Sequence, residues 1–218
     1  MIKRVNLSEQ IYQALKSDIL DQRIGFGERL INRELQERFG VSSTPVRDAI
    51  NRLYIDGLLD NITNVGARVI AFNAQMALEI NEIIAAINRE AIAFSLKKGH
   101  KDDLSPILEE CIHRQKECIE TNDYFVHDRA FHQAFFDYCD NEFLKKIYFQ
   151  HSVLWEMLVL YYYKDKGSDR KSSIEDHQKI LSAYVEGNVA SVQNYVEAHF
   201  QRAAKPLAKM ARDLAAHE

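Results

Sequence analysis

The sequence predicts a mainly α chain in two parts, 1–72 and 73–218, and three observations carry that reading. Residues 28–57 hold two short helical patterns separated by a tight break, and two short apolar runs follow them. Beyond Phe72 the chain turns to long helically periodic segments with few glycines. In those later segments nothing alternates apolar and polar residues as a half-buried strand does. The expected architecture is therefore a winged helix-turn-helix, α with a small β wing, followed by an all-α helical bundle.

The elements of the first part follow in order. The first short helix carries Leu35 and Phe39 on its inner face, and Gly40 ends it, because glycine tolerates the left-handed conformation of a helix end. A second helix starts at once, with Ser43 or Thr44 as its cap and Pro45 in a first turn that has no use for the missing N–H. Val46, Ile50, Leu53 and Tyr54 are spaced as its buried face, leaving Thr44, Arg47, Asn51 and Arg52 on polar faces. Such a helix fits a major groove. In DNITNVGARVIAF, apolar runs flank Asn64-Val65-Gly66 and predict a hairpin wing.

Six helices are expected in the second part: 74–98, 101–121, 123–139, 141–165, 169–186 and 189–216, with Gly99 and Gly187 after the first and fifth. Met76, Ile80, Ile83, Ile84, Ile87, Ile92 and Leu96 make a wide apolar stripe on the first, which suits a bundle.

Charge divides unevenly. The whole chain stands at −4, yet residues 1–72 hold 10 Lys plus Arg against 9 Asp plus Glu, and residues 73–218 hold 18 against 23. A head at +1 makes few phosphate contacts, so affinity for DNA calls for two heads and hence a homodimer. The polar start MIKRVNLSEQ is not a signal peptide and no run of about 18 apolar residues occurs, so a cytoplasmic chain with no membrane partner is expected. Cys111, Cys118 and Cys139 lack metal-type spacing and read as reduced thiols.

Residues 8–69 resemble the DNA-binding domain of the GntR family of bacterial transcription regulators. The marks are Gly-Glu-Arg-Leu at 27–30, Arg-Glu-Leu at 33–35, Val-Ser-x-Thr-Pro-Val-Arg at 41–47, and Asp-Gly-Leu-Leu followed by Asn-x-Gly at 56–66. The resemblance implies an operator of double-stranded DNA, contacted by Arg33, by Ser43, Thr44 and Arg47 at the start of the reading helix, and by the wing at Gly66. Many members carry a basic residue where this chain has Ser43.

A second constellation lies in the later helices. Asp128 and His132 stand four apart in FVHDRAFHQAFF and so share a helix face, while His177 and His199 sit on two later helices. Facing helices of a bundle can bring such residues to one internal point, and Asp with three imidazoles suits a borderline divalent ion such as zinc, nickel or manganese. An Asp-x-x-x-His pair is equally compatible with a plain surface hydrogen bond. Residues 73–218 resemble the all-helical FCD domain of the FadR-type branch of the family, through Asp128-Arg-Ala-Phe-His132, Asp176-His177-x-x-Ile180 with Gly187-Asn188 after it, and Ala198-His199-Phe200. That resemblance implies Asp128, His132, His177 and His199 as metal ligands. It also implies an arginine and, four residues on, a glutamate on the first bundle helix, where this chain has Ile84 and Asn88. The neighbouring Arg89 and Glu90 are candidate substitutes, and Asn88, Arg89 and Tyr161 are candidates for the effector pocket, with Trp155, Tyr162 and Tyr163 as further candidates for its wall.

The expected function is a transcription regulator, not an enzyme: a repressor that binds DNA as a homodimer and responds to a small carboxylate in a metal-containing pocket. Two alternatives stay open. One is a metal-dependent hydrolase with Glu175 as base, the other a metal-free sensor of a fatty-acid-like ligand.

Overall fold

The computed structural model describes residues 7–163 and 167–215, with the side chains of 158, 160–163, 167–169 and 210–215 outside that description. The chain divides into two compact units at Phe72 and Asn73.

In the first unit the order is α1 (Leu7–Leu20), β1 (Arg29–Ile31), α2 (Asn32–Phe39), α3 (Ser43–Ile55), β2 (Leu59–Asp60) and β3 (Gly66–Val69). Gly40 ends α2 at φ +63°, in the left-handed region anticipated for it. The buried face of α3 is Val46, Ala49, Ile50 and Leu53, spaced i, i+3, i+4, i+7, and it lies against α1. Tyr54, expected on that face, is 51% exposed. It stands about 100° around the helix from Leu53, and Ala49 completes the stripe in its place. The cap also differs: Ser42 is the N-cap, extended and without a side-chain hydrogen bond, so Ser43 and Thr44 lie inside the first turn.

The sheet has three strands rather than the hairpin alone, in the order β1-β3-β2, all antiparallel. β1 escapes a periodicity argument because three residues carry no pattern. Leu30 pairs with Ala67 and Leu59 with Val69, and all four side chains are buried.

The second unit contains, among the described residues, helices and no strand: α4 (Ala74–Lys97), α5 (Lys101–Glu117), α6 (Asp123–Asp137), α7 (Glu142–Tyr163), α8 (Gly167–Val185) and α9 (Val189–Ala215). Asn73 caps α4, its Oδ1 accepting from Met76 N at 2.9 Å. α4 lies against α6, α7 and α9, and α5 against α6 and α8. The buried stripe of α4 is Ala74, Ala77, Asn81, Ile84, Asn88, Ala91 and Ser95, alternating three and four residues apart. Of the apolar stripe read from sequence, Ile80, Ile84 and Ile92 are buried, whereas Ile83 is 54% exposed and Met76, Ile87 and Leu96 are half-buried. Small and amide side chains permit close approach of neighbouring helices, and three polar positions on the inner face have partners there. Asn81 bonds to Phe200 O, Asn88 to Ile84 O, and Ser95 Oγ accepts from Tyr184 at 3.0 Å.

Candidate metal centre and nucleic-acid interface

In the first unit, α3 turns Thr44, Arg47 and Asn51 outward, with Ser43 half-buried at its start. A cleft beside it is lined by Arg47, Ile50 and Asn51 from α3 and by Ile62, Thr63 and Asn64 from the wing. Asn32 joins the two sides, its Nδ2 donating to Asn64 O at 3.1 Å. Arg33 is 88% exposed and paired across one helical turn with Glu37 at 3.0 Å. Arg52 is occupied differently: it stacks 3.9 Å over the Tyr12 ring and pairs with Glu9, which ties α3 to α1. Gly66 is buried, and a Cβ on it would lie 1.9 Å from Leu30 O, so β1 and β3 approach closely only because no side chain stands there. Residues 61–65 at the wing tip are exposed, Val65 at 68%.

In the second unit, α6 supplies Asp128 and His132 one turn apart, α8 supplies His177, and α9 supplies His199; all four are buried. One ring nitrogen from each histidine lies within 4.8 Å of the others. Asp128 Oδ1 stands 3.9 Å from His177 Nε2 and accepts from Tyr124 Oη at 3.2 Å. Phe131 stacks on the His177 ring at 4.1 Å, and Trp155 meets His132 edge-on at 5.1 Å.

Two amides determine what these imidazoles present. Gln115, fully buried, donates Nε2 to His127 O at 3.1 Å, leaving its Oε1 2.9 Å from His177 Nδ1. Asn88 donates Nδ2 to Ile84 O at 2.9 Å, leaving its Oδ1 3.2 Å from His132 Nδ1. A backbone carbonyl only accepts, so each amide oxygen faces an imidazole nitrogen that must donate. Nδ1 therefore carries the proton in both rings and Nε2 the lone pair. Both Nε2 atoms are buried with no hydrogen-bond partner. Burial first, and the neighbouring His199 second, hold His132 and His177 well below the usual histidine pKa, so both are neutral at physiological pH. Burial pushes the Asp128 carboxyl up. His199 Nδ1 stands 3.6 Å from Asp176 Oδ2. Burial would raise Asp176, but His199 and Arg202, whose Nε and Nη2 reach Oδ2 at 2.9 and 2.7 Å, outweigh it and lower its pKa to about 2. Two unpartnered lone pairs, a third imidazole and an adjacent carboxylate form a donor set that fits a divalent cation.

Beside this cluster is a cavity of about 70 Å³, walled in part by Asn81, Tyr124, Trp155, Arg170, Ser173 and Arg202. Of the expected pocket residues, Asn88 braces His132 instead of lining the cavity. Arg89 is also off the wall and pairs with Glu197 at 3.2 Å, because one residue's step along a helix turns a side chain about 100°. Tyr161, Tyr162 and Tyr163 have side chains outside the description, whereas Trp155 does line the cavity. Glu175 is exposed on α8 and does not line it. Gln115, Arg170 and Arg202 went unnoticed in the sequence. A signal was available for α4 alone, where Asn81, Asn88 and Ser95 recur every seven residues and so mark one inward face that must meet polar partners.

A winged reading head followed by a helical unit with an internal donor cluster and cavity is the arrangement of a DNA-binding regulator. The chain belongs to the GntR family of bacterial regulatory proteins: residues 7–69 match that family and residues 79–202 match the FCD domain. An uncharacterised HTH-type transcriptional regulator of Bacillus subtilis, YdhC, is 26% identical over 88% of this chain and 86% of its own length. The HTH-type transcriptional repressor RspR of Escherichia coli is 26% identical over 89% of this chain and 86% of its own. Among solved structures, a GntR-type regulator from Rhodococcus sp. RHA1 shares the fold with a TM-score of 0.72 at 17% identity, covering 93% of this chain and 97% of the other. E. coli McbR/YncC matches with a TM-score of 0.68 at 20% identity, over 94% and 98%. The chain is thus a DNA-binding transcription regulator, and its relatives are regulators rather than enzymes. No helix among the described residues is long and apolar enough to cross a membrane.

Proposed function

We propose that this regulator is a homodimeric repressor, controlled by a small carboxylate that enters the cavity beside a divalent ion held by Asp128, His132, His177 and His199. The observation that carries this reading is the pair of buried, unpartnered Nε2 atoms whose lone pairs are aimed by Asn88 and Gln115. Zinc, nickel and manganese all suit the donors. Once bound, the ion supplies a fixed positive charge for a ligand oxygen. Arg202 adds a second cation on the wall, neutralised in part by Asp176. In this reading residues 1–72 are the DNA-binding domain, with Arg33, Ser43, Thr44 and Arg47 on the duplex and Gly66 holding the wing in register. Residues 73–218 are the effector and dimerisation domain. The name of the related RspR, a repressor, favours repression.

A long acyl chain is a poor fit to a cavity of about 70 Å³. The base that the hydrolase reading names, Glu175, is exposed and does not line the cavity. The test is elemental analysis of protein purified without chelator or nickel resin, paired with operator binding. Near one equivalent of metal and a dimer on a near-palindromic site are expected. Less than about a tenth of an equivalent, with no thermal shift on adding zinc, nickel or manganese, overturns the metal reading.

A further inference from the structure

We propose that the solvent-facing side of the three-stranded sheet is a further DNA contact, in which Arg29 and Arg68 hold backbone phosphates beside the wing. This rests on the reading of the first unit as the DNA-binding domain. Arg29 in β1 and Arg68 in β3 stand directly opposite each other, so their side chains leave the same face with Cβ atoms about 5 Å apart. Arg29 is exposed and Arg68 half-buried. Leu30 and Ala67, the next pair along, are buried on the other face. Gly66 permits this pairing, because β1 comes so close that no Cβ would fit against Leu30 O.

Like charges opposite one another in a sheet repel, and the surrounding acids do not relieve this pair. In the first unit Arg23, Arg33, Arg38 and Arg52 are each paired with a carboxylate. Among the described residues, Arg29, Arg47 and Arg68 make no ion pair or side-chain hydrogen bond. Asp60 stands opposite Arg68 in β2, yet the two form no ion pair, and Asp60 Oδ1 is buried without a hydrogen-bond partner. Two guanidiniums left uncompensated on adjacent strands offer planar N–H forks, and a phosphate is the anion that takes such a fork in bidentate fashion. Arg68 is two residues past Gly66, about 7 Å along β3, which keeps the pair next to the wing. α3 lies on the buried side of the sheet. Arg47 therefore meets the duplex on one side of the wing and the Arg29–Arg68 pair on the other.

The full-length protein is titrated by anisotropy with a short labelled duplex of mixed sequence over a range of salt, where phosphate contacts supply nearly all the binding. Arg29→Gln and Arg68→Gln should each lower the slope of log K against log salt by about 0.9 per head. Stability in urea should not fall, since each change relieves a repulsion. Arg68→Lys keeps the charge and should keep the slope. In wild-type protein the Nε–H signals of both arginines should shift when the duplex is added, a measurement that stands even if a glutamine variant fails to fold. Unmoved signals with wild-type slopes overturn the inference, and Arg47→Ala still weakening the complex then leaves the DNA-binding reading of the first unit in place. A loss of slope that comes with an equal loss of urea stability assigns the arginines to the fold and also overturns it. No effect from any of the three arginines overturns both.

Discussion

Replacing Gln115 with leucine isolates the part of the metal centre that never touches the ion. The side chain is fully buried and bridges His127 O at 3.1 Å to His177 Nδ1 at 2.9 Å. Gln115→Leu keeps the volume roughly constant, strands both partners, and frees the His177 ring to adopt the other tautomer. Two lost hydrogen bonds at buried groups cost about 1–3 kcal/mol each, so the helical unit should lose about 2–6 kcal/mol in total. Metal affinity should fall about 10- to 100-fold, the usual effect of removing the group that orients a ligating imidazole. Gln115→Glu retains an oxygen acceptor for Nδ1–H and should recover most of the metal affinity, although it gives up donation to the His127 carbonyl. Competition against a chromophoric zinc chelator reads the affinity, urea unfolding reads the stability, and nitrogen-15 shifts of the imidazoles in metal-free protein read the tautomer. A folded Gln115→Leu protein that binds zinc within twofold of wild type, with His177 still protonated on Nδ1, would refute the reasoning.

Three further outcomes are expected. Arg47→Ala should weaken specific operator binding by about 1–3 kcal/mol with the fold intact, as read by anisotropy, because Arg47 is exposed at the start of α3 beside the wing cleft; equal affinity would remove α3 from the reading role. Gly66→Ala should destabilise the first unit by about 3 kcal/mol, since its Cβ would sit 1.9 Å from the Leu30 carbonyl oxygen in β1, and urea unfolding that matches wild type would contradict that packing. Asp18 should shape acid unfolding: burial alone would raise its pKa, but hydrogen bonds from Arg38 and Arg23 outweigh burial and lower it from 3.8. A depressed folded-state pKa gives stability that is complete above the unfolded value and is lost as pH falls through the folded one. Asp18→Asn should therefore be less stable at pH 7 and show a flatter decline below about pH 4, measured by urea titrations across that window.

The helical content of both units was legible because amphipathic periodicity and helix ends are local, set within a few residues. Gly40 at φ +63° and the run from Val46 to Leu53 are decided by their own neighbours, and sequence alone identifies them. The types and spacing of Asp128, His132, His177 and His199 were equally visible. Their convergence was implied only by the family resemblance, because periodicity does not say how α6, α8 and α9 pack. Tertiary structure alone decided that Tyr54 faces outward, that Gly66 is needed for strand contact, and that Asn88 supports an imidazole instead of lining a pocket. It alone brought Gln115 to His177 across 62 residues and Asn88 to His132 across 44. Periodicity says which face of a helix is inside; which polar atom meets which across that interior is set by helix crossing and rotation, and those depend on every side chain in the layer between.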